Sequence, residues 1–145
     1  MSETQDRTEI DALIARFYGA FDNRDGRVPV LDELEALFAP GAIVLRDAGA
    51  QCERWSVNEF TAPRVRLLTG GDLVDFHEWE TAASTRIFGA IATRESTYSK
   101  HGTLHAQPYS GGGRKFFHLG RFTEGWRITA VAWSDDAQAQ TPAGN

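Results

Sequence analysis

The chain has 145 residues, 41% hydrophobic and 24% charged, with a formal net charge of −5. That length fits one domain with a core of its own, and the composition excludes an intrinsically disordered chain. Neither half is markedly basic, which argues against a nucleic-acid partner, and no apolar run approaches the ~20 residues of a membrane-spanning helix.

Residues 1–6 are polar and acidic, without the basic start and apolar centre of a secretory signal, so the expected location is the cytoplasm. Cys52 is the only cysteine, which excludes an intrachain disulfide and a cysteine-based zinc site. Ile10, Leu13, Ile14, Phe17 and Phe21 recur at steps of three and four. They predict a helix over 8–22, capped by Thr4 or Thr8. Asn23-Arg24-Asp25-Gly26 ends it with turn residues. Leu31, Leu34, Leu37 and Phe38 predict a short second helix over 31–38, stopped by Pro40-Gly41, and Ala42-Ile43-Val44-Leu45 reads as a buried strand.

Ser56-Val57-Asn58-Glu59 is a capping box and opens a third helix over about 57–68, with a kink or first-turn break at Pro63 and a stop at Gly70-Gly71. From Asp72 the period is two. Strands are predicted over 73–88, 89–100, 114–123 and 126–134, with turns at Gly89, Ser110-Gly111-Gly112-Gly113 and Glu124-Gly125. The glycine stretch lacks the lysine and following helix of a phosphate-binding loop and reads as a flexible hairpin end. Residues 137–145 have little to bury and read as a mobile tail behind a single domain over 1–136. Helices followed by an antiparallel meander predict an α+β domain, helices packed on one face of a curved sheet.

Three stretches carry a family resemblance: Phe21-Asp22-Asn23-Arg24-Asp25 after the first helix, Leu37-Phe38-Ala39-Pro40-Gly41-Ala42 before the first strand, and Gly125-Trp126-Arg127-Ile128 with Trp133-Ser134-Asp135-Asp136 at the end. In this order, over about residues 8–136, the chain resembles the nuclear-transport-factor-2-like superfamily and its SnoaL-like, ketosteroid-isomerase-like group. The resemblance implies a cone: a bent, mostly antiparallel sheet wrapped around the N-terminal helices, with a pocket at the open end and a homodimer through the outer sheet face.

The steroid-isomerase pattern is not complete in this sequence. Its helical tyrosine falls at Phe17, beside Tyr18; its base falls at Arg46, which stays protonated and cannot accept a proton; its neutral acid falls near His118. The scytalone-dehydratase pattern keeps Asp22 but has Phe21 in place of its tyrosine. His118, in an apolar strand, has the right chemistry for proton exchange, or is a core histidine. Asp22 could orient it, or bond its own turn. Arg46 could hold a ligand carboxylate, or pair with Asp47, Glu95 or another structural acid. In Asp75-Phe76-His77-Glu78-Trp79-Glu80, the two glutamates share one strand face and His77 and Trp79 the other. They read as a solvated outer face and not as a metal site.

The expected function is therefore binding of a small hydrophobic molecule in an aromatic pocket lined by Phe17, Tyr18, Phe21, Arg46, Tyr98 and Trp133, without metal or cofactor. The alternatives are an isomerase-, dehydratase- or cyclase-type enzyme using His118 and Asp22 as acid and base on a carbonyl compound, and a dimerisation or assembly module.

Overall fold

The computed structural model describes residues 2–136; the expected tail at 137–145 lies outside them. Helix α1 spans Glu3–Gly19. It begins before the apolar stripe because its first turn is exposed and carries no apolar signal. Ser2, not Thr4 or Thr8, caps it: Ser2 Oγ accepts from the Gln5 N–H while the Gln5 side chain accepts from the Ser2 N–H. After Asn23 comes a single 3₁₀ turn, Arg24–Gly26. The predicted second helix is shorter than expected: α2 covers Leu31–Leu34, and a 3₁₀ turn, Glu35–Leu37, leads directly into strand β1, Phe38–Asp47. Pro40 and Gly41 do not stop a helix. They lie within β1 at a register shift between Phe38 and Ile43, an irregularity that tolerates a residue with no N–H to donate.

Strand β2, Cys52–Ser56, is too polar and exposed to show a strand pattern in the sequence, and pairs antiparallel with β1. The Ser56 capping box then opens α3, Val57–Thr69, which continues through Pro63. Strands β3 (Leu73–Phe88), β4 (Ile91–Leu104), β5 (Gln107–Phe122) and β6 (Gly125–Asp135) complete one six-stranded sheet in the order β2-β1-β6-β5-β4-β3. Only β1 and β6 run parallel. This is the curved, open α+β sheet with N-terminal helices that the sequence predicts.

The glycine-rich stretch is not a hairpin end. It lies inside β5, and the β4–β5 turn is His105-Ala106, both in left-handed conformation (φ 49° and 66°), as a two-residue hairpin with the right twist requires. A Cβ on Gly113 would sit on the Ser134 carbonyl oxygen and 2.6 Å from the Tyr98 hydroxyl. Glycine is there to let β5, β6 and Tyr98 approach one another.

Alternation along β5 turns Lys115, Phe117 and Leu119 toward the helices and Arg114, Phe116 and His118 away from them. Phe17 of α1 packs edge-on against Phe117, with ring centroids 5.2 Å apart, and against Phe21 at 5.6 Å. The fully buried Trp126 fixes the other end of α1: its indole N–H donates to Asp6 Oδ1 and its backbone N–H to Glu9 Oε2.

Candidate functional site

Between α3 and the inner face of the sheet lies a cavity of about 310 Å³. Phe17, Phe21, Phe60, Phe76, Tyr109 and Trp133 supply aromatic walls. Arg46, Arg64, Lys100 and Lys115 supply four cationic side chains against two carboxylates, Glu78 and Asp135. The lining thus carries a surplus of positive charge inside a domain that is acidic as a whole.

Arg64 stands one helical turn after Phe60 on α3, so its guanidinium folds back over that ring at 4.1 Å. It also lies 5.5 Å from the Trp133 ring and 5.6 Å from that of Trp55, and Nη1 donates to the Phe60 carbonyl at 2.9 Å. Among the described residues no carboxylate forms an ion pair with it. Burial, and then the nearby Arg46, pull its pKa down to about 10. It remains a cation at neutral pH, half-buried, with the Glu78 and Asp135 carboxylates acting on it only at a distance. Arg46 stands at the rim with Nη1 3.5 Å from Glu53 Oε1 on β2, not paired with Asp47 or Glu95. Asp47 instead accepts from Gly49 N and Ser134 Oγ, and Glu95 pairs with Arg114.

The floor is built by strand alternation. Lys115 of β5 is only 6% exposed in its side chain; its Nζ lies 3.6 Å from Glu78 Oε1 and 3.8 Å from the Tyr98 ring centroid. Burial lowers the Lys115 pKa, opposed by Glu78 and reinforced by Lys100. Lys100 of β4 pairs with Asp135 Oδ1 at 3.2 Å. Burial is the largest single influence and would lower its pKa, but Asp135, Tyr109 and Glu78 together outweigh that and raise it. The Tyr98 hydroxyl donates to the same Asp135 oxygen, and burial holds the phenol far above its ordinary range.

Of the expected ligand-lining residues, Phe17, Phe21, Arg46 and Trp133 do line the cavity. Tyr98 acts from behind Lys115. Tyr18 points elsewhere: its hydroxyl is 2.7 Å from Ser96 Oγ, which donates to Glu80, and Arg94 closes the network with bonds to Glu80 and Asp11. That network ties α1 to the sheet.

His118 and Asp22 are not brought together. His118 lies on the exposed outer face beside Ser84, Arg86 and Phe116, because its neighbours Phe117 and Leu119 take the inward positions. Asp22 sits outside the cavity, held by Arg24 Nη2 at 2.8 Å and Arg27 Nη1 at 3.1 Å. The Arg24 side-chain hydrogen bond is the largest cause and, against desolvation and with smaller help from the Arg24 N–H and the Arg24 and Arg27 charges, lowers its pKa to about 2. A carboxylate that weakly basic has little driving force to take a proton at neutral pH. Since its folded pKa lies below the ordinary 3.8, its contribution to stability is complete above that value and is lost as pH falls toward 2. Asp22→Asn is therefore expected to flatten the loss of stability between about pH 4 and pH 2, read from acid titrations of the melting temperature.

The two glutamates of β3 are also placed differently from the expectation. They do share a face, but it is the inner one: the Glu78 side chain is 11% exposed and lines the cavity, while Glu80 is bound by Arg94 and Ser96. On the other strand face, His77 and Trp79 stack at 4.4 Å. Arg64, Lys100 and Lys115 are the cavity's charged groups that composition and motif did not single out. Among the described residues no group of three or more His, Cys, Asp or Glu side chains is placed to hold a metal ion.

No protein-family model matches the sequence, and no curated protein matches it at the sequence level. Solved structures do match its shape. A protein from Kribbella flavida superposes with a TM-score of 0.77 at 16% identity over 95% of both chains. A nuclear-transport-factor-2-like superfamily protein from Salmonella enterica gives 0.74 at 18% identity over 99% of this chain and 100% of that one. A nuclear-transport-factor-2-like protein with a cystatin-like fold from Novosphingobium aromaticivorans gives 0.71 at 19% identity over 94% and 86%. The fold is thus that of nuclear-transport-factor-2-like, cystatin-like proteins. At these identities the likeness concerns architecture, and function has to be argued from the site.

Proposed function

We propose that the protein binds a small organic carboxylate with a flat apolar body in the cavity under α3. The observation that carries this reading is the Arg64 guanidinium, half-buried among Phe60, Trp133 and Trp55 with no carboxylate of the described residues in ion-pair contact. A wholly apolar ligand would cover that charge without pairing it, whereas a carboxylate pairs with it in a fork geometry and its ring extends the aromatic stack. Arg46 at the rim adds a second cation on the same side. The cavity volume is at the lower end for ligand pockets, which suits a body of one or two rings.

The test is a thermal-shift comparison of an aromatic carboxylate, such as benzoate or naphthoate, with its primary amide. At about 100 Kd the acid is expected to stabilise the protein by about 2.7 kcal/mol, a rise of several degrees, and the amide much less. Equal shifts for acid and amide contradict the reading.

A homodimer through the outer sheet face is the second element of the proposal. Phe116 is half exposed there, with Leu45 and Ala132 beside it in a shallow apolar groove. Phe116→Glu is expected to convert a dimer into a monomer in light scattering, with melting temperature nearly unchanged. A monomeric wild type, or a variant that stays dimeric, contradicts it. The free, exposed thiol of Cys52 fits a reducing compartment such as the cytoplasm.

A further inference from the structure

We propose that Lys115 is a nucleophilic amine that forms a reversible imine with an aldehyde or ketone carried by the ligand. This rests on the carboxylate-binding reading and adds a carbonyl group to the ligand's chemistry. Three observations carry it. First, Lys115 reaches the cavity from a strand position that otherwise holds core residues: it alternates with Phe117 and Leu119 and its side chain is almost fully buried. Second, it is not fixed in a tight ion pair. Glu78 stands off at 3.6 Å, the Tyr98 and Trp133 rings lie at 3.8 Å and 5.1 Å, and Lys100, Asp135 and Arg64 act on Nζ through their charges. Third, the Trp133 ring lies within similar reach of the Arg64 guanidinium, at 5.5 Å. A single-ring ligand lying on Trp133 with its carboxylate on Arg64 would turn its opposite end toward Lys115.

The other lysine of the cavity makes the contrast. Lys100 is held by Asp135 and kept protonated, whereas burial favours the neutral amine at Lys115, and the two cations disfavour each other. A desolvated lysine next to another cationic group is the arrangement that activates amines toward carbonyls.

The step balances without any further reagent. Glu78 takes a proton from the Lys115 ammonium. The nitrogen lone pair attacks the carbonyl carbon as the C=O π pair moves to oxygen, a C–N bond forms, and the proton that the nitrogen sheds passes to that oxygen to give a neutral carbinolamine. Glu78 returns its proton to the departing hydroxyl, and water leaves as the C=N bond forms. The sum is ammonium plus carbonyl giving protonated imine plus water, with the Glu78 carboxylate restored. Water reverses it.

The chain has two lysines, so the experiment is clean. The full-length protein is incubated near neutral pH with para-formylbenzoate and sodium cyanoborohydride, and analysed by intact mass and peptide mapping. One carboxybenzyl group per chain is expected, on Lys115. The label is expected to be lost in Lys115→Arg and strongly reduced in Arg64→Gln. Since the wild-type peptide map itself locates the label, the result does not depend on either variant folding. Label on Lys100 or the terminal amine but not on Lys115 overturns the proposal, as does no label under conditions where para-formylbenzoate raises the melting temperature. Benzoate, which has no carbonyl to react, separates the two readings. If benzoate binds and Lys115 stays unlabelled, only the imine fails; if neither compound binds, the binding reading fails and the imine with it.

Discussion

Asn23→Ala is expected to lower the unfolding free energy by roughly 3–5 kcal/mol, a fall of about 10 °C or more in melting temperature. The residue follows α1, where a turn residue would ordinarily be replaceable. Here its side chain is buried and makes three hydrogen bonds to backbone. Nδ2 donates to the Leu68 carbonyl at 2.9 Å and the Leu73 carbonyl at 2.8 Å, and Oδ1 accepts from the Phe76 N–H at 2.7 Å. The Asn23 N–H adds a fourth bond, to the Phe76 carbonyl. One amide thus joins the end of α1 to the end of α3 and the start of β3, the segment that carries Phe76 and Glu78 into the cavity. Alanine leaves two carbonyls and an N–H buried without partners, at a cost of about 1–3 kcal/mol for each that water does not reach. Chemical denaturation reads the loss directly. A change under about 1 kcal/mol would mean that these groups find water or other partners.

Arg64→Gln is expected to weaken binding of an aromatic carboxylate by about 30-fold or more, equivalent to at least about 2 kcal/mol. Removing one partner of a desolvated charge pair leaves the other buried without compensation, so the loss falls on the complex. The unliganded protein behaves differently. In it Arg64 is a half-buried cation with no ion pair among the described residues, and glutamine keeps most of the side-chain stem over Phe60, so its stability should stay within about 1 kcal/mol of wild type. The combination is diagnostic. A variant that lost binding because it unfolded would show both losses. Calorimetric titration of benzoate or naphthoate into the two proteins, with their denaturation curves, separates the cases.

Much of the fold is legible in the sequence, and the physical reasons are local. The Ser56-to-Glu59 capping box names its own helix, and the period-two pattern from Leu73 gives the bounds of β3 as the structure has them. The errors are equally local. An exposed first turn hides the start of α1, and a polar edge strand hides β2. Gly111, Gly112 and Gly113 resemble a loop because glycine marks both loops and places where strands crowd together; only the position of Tyr98 and Ser134 across the sheet tells which.

The site is less legible because a strand pattern says which residues share a face but not which face is inside. Phe116 and His118 alternate with Lys115, Phe117 and Leu119. Choosing the first pair as inward makes His118 a candidate acid–base group; the second set makes Lys115 a cavity residue. Packing of Phe17 on Phe117 decides for the second. The same choice on β3 turns Glu78 inward, and it was open for the same reason. Arg64 gave a usable signal, four residues after Phe60 on one helix face, though nothing in the sequence says that Trp133 and Trp55 complete its surroundings. Asp22 illustrates the opposite case: its nearest partners, Arg24 and Arg27, are sequence neighbours, and they hold it as a turn residue.

The most direct test of the account is a crystal structure of the protein grown with an aromatic carboxylate such as naphthoate. The account predicts the carboxylate within hydrogen-bond distance of the Arg64 guanidinium and the ring system stacked along Trp133 in the cavity under α3. A ligand bound elsewhere, or bound in the cavity with its carboxylate turned away from Arg64, would contradict it.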